Sequence, residues 1–275
     1  MSAPRHLLAA RGEIERELRR ACYLAVFTDF DGTLVRIRRR PGQVQLSPRV
    51  KGLLGELARR GVVVGVVSGR RLEDLRERVG LERIWYVGAH GFFLLTPGNR
   101  AITLLNRRER GTLARAERAL ARRLGGVAGV VLESKHATLA VHYRSASRRN
   151  RALAEKVAAA LLQRYARLTM LAGKRVWELL PAGKERGAGP GVMPPPRVDK
   201  WTAIQWALHY ERRRRPRGRW LVFYLGDDST DELVFQKLRG VSVAVGKTRH
   251  TAARYHLRSP AEVRQFLEDL NQRLL

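Results

Sequence analysis

The sequence predicts an α/β protein: a parallel sheet with connecting helices, interrupted by an α+β module. Three observations carry this. First, Val62 to Val67 and Trp220 to Leu225 are continuous apolar runs, as is the segment leading to Asp29, and strands buried on both faces read this way. Second, stretches with helical spacing alternate with these runs. Third, from Phe92 to Leu180 strands follow strands, which marks a change of architecture within the chain.

Residues 5–20 alternate charges with Leu and Ile and read as an amphipathic helix. The run Ala25-Val26-Phe27-Thr28 then gives the first strand, which leaves through Asp29-Phe30-Asp31-Gly32-Thr33. Two carboxylates at a strand exit repel unless a cation or a shared proton compensates. A hard cation such as Mg²⁺ takes oxygen ligands and fits, although Asp and Gly are also ordinary turn residues. Ser47-Pro48 is a cap for a helix over Val50 to Arg60, which Gly61 ends. The second strand, Val62 to Val67, exits through Ser68-Gly69-Arg70 into a helix over Arg71 to Val79. The third, Ile84 to Val87, exits through Gly88-Ala89-His90-Gly91.

The inserted module starts with a hairpin, Phe92 to Leu105, broken at Pro97-Gly98, and a helix over Leu113 to Leu124. Strands are expected over Val130 to Lys135 and Ala137 to Arg144, a helix over Leu153 to Ala166, and two more strands about Gly173-Lys174. Residues 181–198 form a Gly/Pro-rich loop. Asp199-Lys200 opens a helix running to His209, and Arg212 to Arg219 reads as a basic connection. The strand Trp220 to Leu225 exits through Gly226-Asp227-Asp228-Ser229-Thr230-Asp231 into a helix ending at Leu238. Val241 to Val245 is a last strand, and 260–275 is a closing amphipathic helix.

Three strand exits thus carry complementary groups: Asp29 and Asp31, Ser68, and Asp227, Asp228 and Asp231, with Lys200 opening the helix before the last. In an open parallel sheet such exits meet on one edge. Carboxylates, a hydroxyl and a lysine are the parts of metal-assisted phosphoryl transfer through an acyl phosphate.

These four pieces, in this order, resemble the motifs of the haloacid dehalogenase superfamily of phosphatases. Within it, nearly the whole chain resembles trehalose-6-phosphate phosphatases. The resemblance rests on Phe27 to Ile37, Val67 to Arg71, Gly88 to Phe92, Glu133-Ser134-Lys135, His142-Tyr143-Arg144, Gly173-Lys174 with Glu178, and Gly226 to Glu232. It implies a Rossmann-like hydrolase core over residues 1–91 and 176–275, with an α+β cap over 92–175. It also implies Asp29 as nucleophile and Asp31 as general acid/base, with Ser68 and Lys200 on the phosphoryl group. Mg²⁺ would be held by Asp29, the Asp31 carbonyl and Asp227, with Asp228 and Asp231 in support. Thr33, Gly69, Arg70, His90, Gly91, Glu133, Lys135, His142, Arg144 and Glu178 would face the substrate, trehalose 6-phosphate first and another glycosyl or sugar-acid phosphate as the alternative. Trp201 and Leu180-Pro181 depart from the family pattern, as does the length of the 182–197 loop. All three bear on sugar specificity. Competing structural roles remain open: His90 as a turn residue, Glu133 with Lys135 as a solvated strand pair, and Asp228 and Asp231 as helix caps.

The chain carries 54 Lys and Arg against 25 Asp and Glu, a net charge of +29. The arginines are spread along the chain, with runs only at 38–40 and 212–215 and no aromatic-interleaved basic motif in sequence. The reading is a general surface bias with no specific nucleic-acid partner, against the alternative of a basic nucleic-acid-associated protein keeping this fold. A single cysteine, Cys22, excludes an internal disulfide framework. Without a signal-like or membrane-spanning run, the expectation is a cytoplasmic, monomeric enzyme of trehalose biosynthesis acting on a small sugar phosphate.

Overall fold

The long apolar runs become the interior strands of one large sheet, and the shorter alternating ones a second, smaller sheet. The computed structural model describes residues 3–37, 44–173, 175–183, 197–246 and 250–274. Two compact units emerge: Met1–Ile102 with Asp199–Leu275, and Thr103–Val198.

The first unit opens with β1 (Arg5–His6), a 3-10 turn over Leu7–Ala10 and α1 (Arg11–Arg19). The amphipathic stretch is therefore shorter as a helix than its periodicity suggests, because its first residues pair with a distant strand. Then follow β2 (Tyr23–Asp29), α2 (Pro48–Arg59), β3 (Val63–Val67), α3 (Leu72–Val79), β4 (Trp85–Gly88), β5 (Phe93–Leu95) and β6 (Ala101–Thr103). Ser47 caps α2 by accepting from the Val50 amide, with Pro48 at its start. The second unit holds α4 (Arg107–Leu124), β7 (Val131–Ser134), β8 (Leu139–His142), α5 (Arg148–Arg164), β9 (Leu168–Gly173) and β10 (Val176–Pro181). The chain returns to the first unit with α6 (Lys200–Arg213), β11 (Trp220–Gly226), α7 (Glu232–Lys237), β12 (Val241–Val245), β13 (Tyr255–Leu257) and α8 (Pro260–Arg273).

The large sheet has the order β1-β13-β12-β11-β2-β3-β4-β5-β6. Its pairs from β1 to β4 are parallel, and β5 joins β4 antiparallel. Strand β2 lies between β3 and β11, so chain order reverses across it. That is the switch point at which open α/β sheets place ligands. Register aligns Asp29 with Val67 and Thr28 with Leu225, which brings the exits of β2, β3 and β11 side by side. Beneath them Val26, Phe27, Phe30, Val66, Phe223 and Leu225 are fully buried. Each such side chain contributes about 1.5–3 kcal/mol relative to exposure.

The second unit is an antiparallel sheet, β7-β8-β10-β9, with α4 and α5. Helix α4 starts well before Leu113, at Arg107, through a capping box in which Asn106 and Glu109 satisfy each other's backbone amides. The arginine-rich first turn hides this start from an apolar-periodicity reading.

Both unit limits differ from the expected ones at 91/92 and 175/176. Strand β5 pairs with β4, so the 92–102 hairpin belongs to the first unit. Strand β10 pairs with β8 and β9, so residues 176–198 belong to the second. Helix α6 also runs through Arg213 into what reads as a basic connection. Lys174 and most of the Gly/Pro-rich loop lie outside the described residues, as do Arg38 to Arg40.

Candidate active site

Asp29 ends β2 and is 5% exposed. Beyond it the chain curls: the Gly32 amide donates to the Val35 carbonyl at 2.7 Å, and the Leu34 and Val35 amides donate to the Phe30 carbonyl. Gly32 has φ +91°, and a Cβ there would stand 2.0 Å from Asp227 Oδ2. The Asp227 carboxylate therefore packs against the turn that carries Asp31. The buried Thr33 hydroxyl in the same turn has no hydrogen-bond partner among the described residues.

Gly32→Ala is thus expected to displace Asp227 as well as strain the turn, by about 1–3 kcal/mol of backbone energy. A misplacement of ~1 Å costs about 10²-fold in rate. A variant with near wild-type kcat would disprove the close approach.

Lys200 is the first residue of α6, set in place by Asp199, whose side chain accepts from the Thr202 amide and hydroxyl at 2.7 and 2.8 Å. Its buried Nζ donates to Asp29 Oδ1 at 2.7 Å and to Asp231 Oδ1 at 2.6 Å. Asp231 has both oxygens engaged. Oδ1 also accepts from the Tyr224 hydroxyl at 2.5 Å, and Oδ2 accepts the amides of Asp227 and Asp228, each at 3.0 Å. Asp231 is thereby the anchor of the 226–231 loop and of the lysine. Asp228 caps the turn 229–231 by accepting from the Thr230 amide, and Asp231 closes that capping box by accepting the Asp228 amide, whereas the Asp231 side chain makes no cap bond to α7.

Burial pushes the Asp29 carboxyl well up, and Asp231 and Asp227 add to this while Lys200 opposes it. For Lys200, burial disfavours charge, but Asp231 and Asp29 outweigh it and hold the ammonium charged. Burial would also raise the Asp228 carboxyl. The Lys200 charge and the Thr230 amide hold it below its ordinary value instead. Asp29 and Asp231 are both buried against one ammonium, and Asp227 and Asp228 add acid at the more open side, so the site carries an acid excess.

Arg70 takes a place that its sequence position does not reveal. Expected on the substrate side, it forks onto Asp31, with Nε to Oδ2 at 2.5 Å and Nη2 to Oδ1 at 2.7 Å, and donates from Nη1 to Asp74 at 2.9 Å. The planar guanidinium matches a carboxylate in this bidentate way. Ser68 is 2% exposed, and its Oγ accepts the Arg70 amide at 3.2 Å. The His90 ring lies over Gly69, where a Cβ would meet it at 2.6 Å. Ala89, His90 and Gly91 all have positive φ. Gly69, His90 and Gly91 are therefore gathered beside Ser68.

In the second unit, register puts Glu133, Ala140 and Glu178 in one row across β7, β8 and β10. Glu178 Oε1 accepts from Lys135 Nζ at 2.9 Å and from the Thr138 hydroxyl at 2.7 Å. His142 Nε2 and Glu133 Oε2 are 2.9 Å apart. That hydrogen bond outweighs burial and lowers the Glu133 carboxyl. Lys135 pairs with Glu178, and Glu133 with His142, so the alternative of a Glu133–Lys135 strand pair is not the arrangement. Arg144, exposed, follows two residues after His142.

Sequence reading missed Tyr224, Asp74 and Thr138. Tyr224 lies inside an apolar run and Thr138 in the turn before β8, without a local signal. Trp206 is half-buried, packs edge-on against Trp85 and stacks on Tyr210.

Residues 27–189 match the family model for trehalose-phosphatase. The trehalose-phosphate phosphatase of Mycobacterium tuberculosis strain H37Rv is 37% identical over 260 residues, covering 91% of this chain and 62% of that protein. That of Mycobacterium avium strain 104 is 37% identical over 262 residues with the same coverage. The chain therefore spans 62% of the length of these relatives. Among solved structures, the C-terminal domain of C. albicans trehalose-6-phosphate phosphatase aligns with a TM-score of 0.74 at 21% identity, covering 98% of both chains. Aspergillus fumigatus trehalose-6-phosphate phosphatase aligns with a TM-score of 0.67 at 25% identity, covering 98% of this chain and 99% of that one. A haloacid dehalogenase-like hydrolase from Bacteroides thetaiotaomicron shares the fold, with a TM-score of 0.62 at 15% identity over 90% and 99%.

Proposed function

The chain belongs to the trehalose-phosphatase family, and from that premise we propose that it is a phosphoric monoester hydrolase releasing phosphate from trehalose 6-phosphate. The observation that carries this reading is the buried Asp29, held 2.7 Å from Lys200 at the exit of β2 beside Ser68.

In the proposed reaction Asp29 Oδ attacks phosphorus and the sugar oxygen leaves with a proton from Asp31, giving an aspartyl phosphate. Asp31 then takes a proton from water, which attacks phosphorus and frees Asp29. Lys200 neutralises phosphoryl charge, and the Ser68 hydroxyl donates to a phosphoryl oxygen. Arg70 holds Asp31 by both oxygens, so protonation of the leaving oxygen requires this fork to open or slide.

The chain's residues suit a divalent cation by donor type: hard oxygens from Asp29, Asp227 and the Asp31 carbonyl, in a site with excess acid and a glycine that lets Asp227 come close. Among the described residues no three acid, imidazole or thiol side chains form a ready metal cluster. This agrees with Asp231 being fully committed to Lys200, Tyr224 and the loop amides. Mg²⁺ tolerates so few protein ligands because it keeps several waters. When bound it would supply Lewis-acid neutralisation of phosphoryl oxygens. Activity should therefore vanish with chelator and return with Mg²⁺. Full turnover after exhaustive chelation would exclude the requirement.

We assign Glu133, Lys135, His142, Arg144 and Glu178 to the sugar, since acids accept from hydroxyls and bases orient. Phosphate release from trehalose 6-phosphate, glucose 6-phosphate and p-nitrophenyl phosphate tests the substrate. The disaccharide should lead in kcat/KM by on the order of tenfold or more, because polar groups left unpaired penalise smaller analogues. No lead over glucose 6-phosphate would move the assignment to another sugar phosphate. Glu133→Ala or Lys135→Ala should lower kcat/KM for trehalose 6-phosphate by about 10- to 100-fold more than for p-nitrophenyl phosphate. Equal losses would remove these residues from the sugar. We place the enzyme in the cytoplasm and in trehalose biosynthesis; among the described residues no helix is long and apolar enough to cross a membrane.

A further inference from the structure

Six of the eleven residues from Tyr210 to Trp220 are arginines, and folding sets three of them against aromatic rings that the sequence keeps apart. Arg212 lies over the Trp220 ring at 6.0 Å, and Arg215 over Trp220 at 5.4 Å and over Tyr23 at 5.6 Å. Arg214 lies over Tyr210 at 5.1 Å and donates to its hydroxyl at 3.1 Å. Tyr23 and Trp220, the first residues of adjacent strands β2 and β11, are 5.0 Å apart between ring centres. The aromatic interleaving missing from the linear sequence is thus present in space.

We propose that this surface binds single-stranded nucleic acid without sequence preference. The patch lies at the amino-terminal ends of β2 and β11, whereas Asp29 and Asp227 follow their carboxyl ends. The strand length between is about 20 Å, so an occupant here leaves the phosphatase site open.

Three features select the occupant. Most of the charge has no carboxylate beside it. The carboxylates facing it are Glu17, which pairs with Arg219 at 2.6 Å, and Glu211, which pairs with Arg215 at 3.6 Å and with the Trp85 indole at 2.9 Å. Arg212, Arg213, Arg214 and Arg217 have no carboxylate partner among the described residues and are exposed. Stacking on fixed rings also limits the rotamer freedom of guanidiniums, so they meet a phosphate chain already ordered. Finally, guanidiniums and half-buried aromatic rings side by side offer planar groups on which an unpaired base stacks. A membrane partner would want an apolar anchor, and among the described residues the exposed large hydrophobics, Ile37, Val131 and Leu153, all lie outside this patch.

The test is fluorescence anisotropy with a labelled 20-nucleotide oligouridylate, across a salt series, on the whole chain. Arg213→Gln/Arg214→Gln/Arg217→Gln removes three charges while keeping polar, exposed side chains. Its affinity should fall tenfold or more, and the slope of log K against log salt should shrink by about two, near 0.7 for each lost phosphate contact. Arg107→Gln/Arg108→Gln/Arg115→Gln removes equal charge from α4 and should stay within about threefold of wild type. Phosphate release should be unchanged in both variants. An equal loss in the α4 variant would overturn the proposal, since general charge would then account for binding. Inorganic polyphosphate of matched charge binding as tightly as the oligonucleotide would overturn it too, because bases would add nothing. Phosphatidylserine vesicles that bind more tightly than the oligonucleotide, and lose binding in the first variant, would reassign the patch to a lipid surface.

Discussion

Asp29→Asn is expected to abolish turnover, by on the order of 10⁴-fold or more, while the protein stays folded. The amide is nearly isosteric, and it is a far poorer nucleophile. Stability should change little, for a specific reason. Burial and the neighbouring Asp231 and Asp227 already push the Asp29 carboxyl toward its neutral form. A neutral amide at that point removes an acid from a crowded group, although it also weakens the contact with Lys200. Single-turnover phosphate release, read beside circular dichroism and a thermal melt, separates the two effects. A folded Asp29→Asn protein that releases phosphate near the wild-type rate would sink the aspartyl-phosphate route.

Lys200→Met should strike both stability and activity. The ammonium bridges Asp29 and Asp231 at 2.7 and 2.6 Å in a site closed to water. Removing one partner of a buried ion pair costs about 3–5 kcal/mol, because the other charge is left uncompensated. At roughly 2–4 °C per kcal/mol in a chain of this size, the melting temperature should fall by about 10 °C. The deficit should depend on pH with a definite sign. Without the lysine, Asp29 keeps only influences that raise its folded pKa above the unfolded value. An acid shifted that way favours the folded state most below its unfolded pKa, near 4. That contribution fades as pH rises through the folded value. The gap between variant and wild type should therefore be small near pH 5 and wide near pH 7.5. Melts at both pH values decide this, and an equal gap at both would mean that the two carboxyls do not feel the lysine.

Much of this was legible because it depended on local order along the chain. β-branched and aromatic runs marked β2, β3, β11 and β12, and a parallel sheet then brings their polar exits together. Asp29, Ser68, Lys200 and Asp227 needed nothing more. What escaped depended on distant partners. β13 is three residues, Tyr255–Leu257, and β1 is two, too short for any periodicity. Tyr224 reads as one more apolar strand residue until its hydroxyl is seen on Asp231. Arg70 follows Ser68 in the motif and invites a substrate role, yet its fork is taken by Asp31, 39 residues earlier. Asp74 shares that guanidinium through a helical turn of spacing. The unit limits differ from the expected ones for the same reason. Which sheet a short strand joins is decided by pairing, and residues 92–102 and 176–181 each joined the sheet that local composition did not indicate.

The rims of the large sheet bear on how the protein behaves in a crowded solution. One rim is β1, two residues long and carrying Arg5; the other is β6, three residues long. An open sheet edge is a row of unpaired amides and carbonyls on which a foreign strand can dock, and aggregation grows from such docking. Here an incoming chain finds a ladder only two or three rungs deep. At a net charge of +29, two copies also repel before they reach it. Fibrillar stacking through the edges of the large sheet therefore has almost no starting point, even though the strands inside are apolar and β-rich enough to feed it.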